Sequence, residues 1–100
     1  MPISEDAGWF AARTAAAPEL LRARAEEYFR QTRAESGVAR LEVAGARALE
    51  AAIDAGQNRA AALDLLAADA LITLALLAQA EDEPATLGIL ARGLRLRAIA

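Results

Sequence analysis

Apolar positions along the chain recur with a helical period and are broken by short polar, glycine- or proline-containing stretches, which divide it into five helical segments. The first opens at Ser4, a good N-cap, with Glu5 and Asp6 where the helix dipole favours negative charge, and ends near Ala16. Pro18 suits the first turn of the second, which runs as far as Glu35 before Gly37 offers a C-terminal cap. The third, Val38 to Ala55, aligns Val38, Leu41, Ala48, Leu49, Ala52 and Ile53 on one stripe and stops at Gly56. Asn58 caps the fourth, and Pro84, after the acidic run Glu81, Asp82 and Glu83, starts a fifth that continues toward Ile99. Connections this short make neighbouring helices antiparallel, so the pattern predicts a single domain over residues 1–100. Its architecture is a small antiparallel all-α bundle of four to five helices with a central, apolar fourth helix.

That fourth segment carries most of the information. A wheel at 100° per residue puts Leu63, Leu66, Leu71, Leu74 and Leu77 on one broad face and Leu65, Ile72 and Leu76 on a second. Ala61, Ala68 and Ala75, seven residues apart, lie between them on one side and would let another helix approach closely. The broad face is expected to supply the core, and the minor face, with the last helix nearby, an interface.

Composition agrees with helix and removes much chemistry. Alanine occurs 29 times and leucine 15 times against two valines, a mixture that favours helix and starves strands of β-branched residues. Without cysteine or histidine the chain lacks disulfides, thiolate chemistry, the commonest general base and the commonest transition-metal ligand, so no catalytic residue, metal or cofactor is assigned. All eleven basic residues are arginine, and a net charge of −3 argues against a nucleic-acid partner, which needs clustered positive surface. The run from Ala60 to Ala80 is apolar, but Asp64 and Asp69 would each cost roughly 2.5 to 3.5 kcal/mol at a bilayer centre. No membrane partner is therefore expected, and with acidic residues where a secretory signal carries positive charge the expected location is cytoplasmic.

Carboxylates are the remaining candidates for a site. Glu50 and Asp54 sit four apart near a helix C-terminus, where repulsion and the dipole both disfavour them; Arg47 or Arg59 would answer them at an exposed surface, or they would contribute to a ligand site. Asp64 and Asp69 lie 140° apart on the wheel and cannot share a site on one helix; each is expected at a groove edge beside solvent or an arginine. The aromatic doublets Trp9–Phe10 and Tyr28–Phe29 cannot direct both members to one stripe, so one of each should seal the first helix on the second. Near the C-terminus Arg92, Arg95 and Arg97 follow Leu87, Leu90 and Leu94, complementing the dipole and able to meet an acidic partner.

The expected function is a non-enzymatic helical interaction or assembly module, a homo-oligomer or one that docks on a partner protein. Its interface would comprise Leu65, Ile72, Leu76, Leu94, Arg92 and Arg95. The alternative is a small-molecule-binding or carboxylate-based enzymatic bundle using Asp64, Asp69, Glu50 and Asp54.

Overall fold

The computed structural model of the chain describes residues 3–82 and 93–95, with the side chains of 7–81 and 93–95. Four helices follow one another: α1 (Ile3–Thr14), α2 (Glu19–Gln31), α3 (Gly37–Ala55) and α4 (Arg59–Asp82); residues 93–95 are also helical. No strand occurs among the described residues, as a chain so poor in β-branched side chains requires. The predicted start of a fifth helix at Pro84 lies outside them.

Local chemistry sets the boundaries. Gly56, at φ 76°, ends α3 in the left-handed region that glycine enters without a Cβ penalty, and its N–H donates to the carbonyl of Ile53. Asn58 then caps α4: its Oδ1 accepts from the Ala61 N–H at 2.7 Å while its Nδ2 donates to the Ala55 carbonyl, so one side chain satisfies both helix ends. Two boundaries differ from the sequence reading. Helix α1 begins at Ile3, which places Ser4 within it. Helix α2 stops at Gln31 with Thr32 extended, and Gly37 opens α3 behind the N-cap Ser36, whose hydroxyl accepts from the Ala39 N–H. The early stop is stabilised from two sides. The Thr32 hydroxyl donates back to the Tyr28 carbonyl, and Arg40 of α3 donates its Nε–H to the carbonyls of both Phe29 and Thr32 while its guanidinium lies 3.9 Å from the Phe29 ring centre.

Helices α3 and α4 form an antiparallel hairpin across the three-residue turn 56–58. Their approach is close because the facing residues are small. A Cβ added to Gly45 would lie 2.8 Å from Cγ1 of Ile72 and 3.4 Å from the Ile72 backbone nitrogen, so only glycine fits this crossing. Seven of the twelve residues of the continuous core are alanine, which sets the helix spacing rather than filling a wide interior. On α4 the buried arc runs through Ala61, Asp64, Ala68, Leu71, Ala75 and Ala78. The broad leucine face is therefore only partly the core face: Leu71 and Leu74 are buried and Leu63 is half-buried, but Leu66 is 54% exposed and Leu77 38%, because the buried arc is centred further round the helix, on Asp64, Ala68, Leu71 and Ala75.

Helix α1 seals onto α2 by a stack of Phe10 on Phe29, ring centres 4.5 Å apart and 8° from parallel. Each is the second member of an aromatic doublet, and each is buried. The first members, Trp9 and Tyr28, turn instead toward α4.

Candidate functional site

Helix α4 offers two different surfaces, an inner one carrying polar attachments to α1 and α2 and an outer one carrying exposed leucines. On the inner side two equivalent arrangements recur. In each, an arginine and an aromatic residue four positions apart on one helix stack together and donate to a single carboxylate of α4. Arg24 lies 5.5 Å from the Tyr28 ring centre, and Asp64 Oδ1 accepts from Arg24 Nε at 2.6 Å and from the Tyr28 hydroxyl at 2.9 Å. Arg13 lies 5.3 Å from the Trp9 ring centre, and Glu81 accepts from Arg13 Nη2 and, at 3.1 Å, from the Trp9 indole N–H.

Burial separates the two. The Asp64 side chain is 5% exposed, whereas Arg13 and Glu81 are both about two-fifths exposed, at 43% and 39%. The hydrogen bond from Arg24 holds the Asp64 carboxyl below the ordinary carboxylate range, outweighing burial, with the Tyr28 hydroxyl adding to the same effect. The same hydrogen bond raises Arg24, and burial followed by the bond to Asp64 pushes the Tyr28 hydroxyl up. Asp64 is thus an ionised, buried acceptor tying α2 to α4.

The other carboxylates singled out in the sequence lie apart. Asp69 is exposed on the opposite side of α4 from Asp64, and Glu50 and Asp54 are exposed on α3. The described residues contain no group of three or more acidic side chains placed to hold a metal ion. Of the interface residues, Leu65 is 53% exposed, Leu76 half-buried, and Ile72 half-buried with its Cγ1 against Gly45. Leu94 is buried and Arg95 exposed; Arg92 lies outside the described residues.

The outer surface of α4 brings Leu65, Leu66, Leu76 and Leu77 together around Asp69 and Thr73. At its N-terminal end it runs into an open, mostly apolar groove of about 470 Å³ at the α3–α4 turn, lined by Ala52, Ile53, Asn58, Ala62 and Leu65 among others. The segment Arg59–Glu81 is long and apolar enough by length and composition to cross a bilayer, with a mean hydropathy of 2.0. A third of it is buried within the protein. A second, smaller cleft of about 190 Å³ between α1 and α2 has Phe10 and Phe29 in its wall and Arg22, Arg30 and Arg40 around it. Sequence reasoning did not find this cleft, because its residues come from three helices with no shared spacing. Compared with known protein families, curated proteins and solved structures, the chain matches none.

Proposed function

We propose that the chain is a non-enzymatic assembly module that associates with a second copy of itself through the outer face of α4. The observation that carries this reading is the inversion of side-chain size on that helix: alanine dominates the buried arc, while Leu65 and Leu66 stand more than half exposed and Leu77 more than a third. Two pairs of leucines exposed on one face of a helix in a small domain mark a surface that becomes covered. A chain of about 100 residues also has little interior of its own and gains from pairing.

The strength of the association follows from the areas. In a dimer the Leu65 and Leu66 side chains each cover about half their surface and Leu76 and Leu77 less, so the eight leucines contribute up to roughly 1 kcal/mol apiece. That total is of the same order as the freedom lost on association, so the complex is reversible and concentration-dependent. Light scattering over a concentration series tests it. The expected mass rises from that of the 10.5 kDa chain toward twice that value. Leu66→Glu together with Leu77→Glu should hold the chain at its monomer mass with an unchanged helical spectrum. A wild-type chain that stays monomeric at millimolar concentration would overturn the reading.

A further inference from the structure

The outer face of α4 reads nearly the same in both directions about position 71, three of its four outermost pairs being alike. Ala62 corresponds to Ala80, Leu65 and Leu66 to Leu77 and Leu76, and Asp69 to Thr73, each pair equidistant from that centre. All of these positions are exposed or half-buried. A face of this kind is complementary to itself under a two-fold rotation that reverses the helix direction, which is the condition an isologous interface must meet. We infer that the partner on this face is a second copy lying antiparallel across α4, its centre level with position 71 on the side of the helix away from the buried Leu71, a register that rests on the self-association reading above.

Charge placement selects the same orientation. Arg59 begins α4 and Asp82 ends it, next to the Glu81 that Arg13 and Trp9 hold on the inner side, so reversal brings the basic end of one copy level with the acidic end of the other and opposes the two helix dipoles. A parallel pair would set like ends together and stack the two Asp69 carboxylates directly. In the antiparallel register each Asp69 is instead displaced from its counterpart and lies level with the other copy's Thr73 hydroxyl, a donor. Leucines flank this polar centre on both sides, so the polar pair fixes register while the leucines supply the buried surface.

The chain contains no cysteine, so single introduced cysteines carry spin labels without ambiguity. Ala62→Cys, Ala80→Cys and Ala70→Cys, at the two ends and the edge of the face, are each labelled, checked for helical content, and measured for the distance between copies at concentrations where light scattering reports the wild-type dimer. At a rise of about 1.5 Å per residue, copies centred on position 71 place labels at 62 about 27 Å apart along the axis, labels at 80 the same, and labels at 70 about 3 Å apart. Two long, equal distances and one short one are the expected result. Short distances at all three positions mean a parallel pair, unequal distances at 62 and 80 mean another register, and a long distance at 70 means another face; each overturns the inference while self-association stands. Absence of any intermolecular distance together with a monomer mass for the unlabelled wild type removes both.

Discussion

The two arginine–aromatic–carboxylate arrangements on α4 use the same chemistry at different depths. At the end of the helix, Arg13, Trp9 and Glu81 meet where water reaches both charges, and at its start Arg24, Tyr28 and Asp64 meet around a carboxylate that water barely touches. Spacing and stacking are alike, though the order along the helix is reversed and Arg24 also meets Glu27, so depth is the main difference between them. An exposed pair loses most of its Coulomb energy to water and contributes up to about 1 kcal/mol. A buried carboxylate is a liability that its partners must cancel, and removing one of them leaves the full desolvation cost behind.

The largest expected effect is therefore at Arg24. Replacing it, Arg24→Ala, leaves the Asp64 charge without its cation and with the Tyr28 hydroxyl still donating, and should cost about 3 kcal/mol, near the low end for a broken buried pair because Arg24 is itself a third exposed. For a domain of this size that lowers the melting temperature by roughly 12–24 °C, and a loss under about 1 kcal/mol would show that water already reaches Asp64. Acid titration sharpens the contrast next. Because the folded-state value of Asp64 lies below its unfolded value of about 3.9, its contribution is complete above that range and disappears as the pH falls through the lower, folded value. Denaturant titrations between pH 6 and pH 2 should show this loss in the wild type and its absence in Asp64→Asn; an identical pH profile would contradict an ionised Asp64. Smallest is the matched hydrogen-bond pair. Tyr28→Phe removes a buried donor and should cost about 1 kcal/mol, whereas Arg13→Ala should change stability by about 0.5 kcal/mol or less. Equal losses would mean that depth does not separate the two arrangements.

Features governed by nearest-neighbour chemistry were legible in the sequence. The Asn58 cap and the Gly56 stop needed only donor, acceptor and φ arguments, and the bundle class followed from period and composition. Ala61, Ala68 and Ala75 mark a close helix approach, and all three are buried. What misled was weighting α4 by hydrophobicity alone. Leucine is the more apolar residue, but the closest approach is at Gly45, which meets Leu71 and Ile72, and the buried arc runs from there along Asp64, Ala68 and Ala75, which leaves Leu66 facing outward. Asp64 stood out as a carboxylate needing a partner, yet Arg24 lies 40 residues away, a pairing that no periodicity encodes. The end of α2 was hidden likewise, since it depends on Arg40 reaching back from the next helix.

The hold of Glu81 on Trp9 and Arg13 spans 72 and 68 residues, whereas α3 and α4 are joined by a turn of three. Closing the longer loop costs more chain entropy, so the α3–α4 hairpin can zip together before Glu81 meets α1. Two short-range units come first, the α3–α4 hairpin and the Phe10–Phe29 stack of α1 on α2, and the longer attachments through Asp64 and Glu81 close between them afterwards. The same order reversed gives the first excursion from the native state: the exposed Glu81 attachment opens and α1 exchanges its amide hydrogens while the α3–α4 hairpin stays closed.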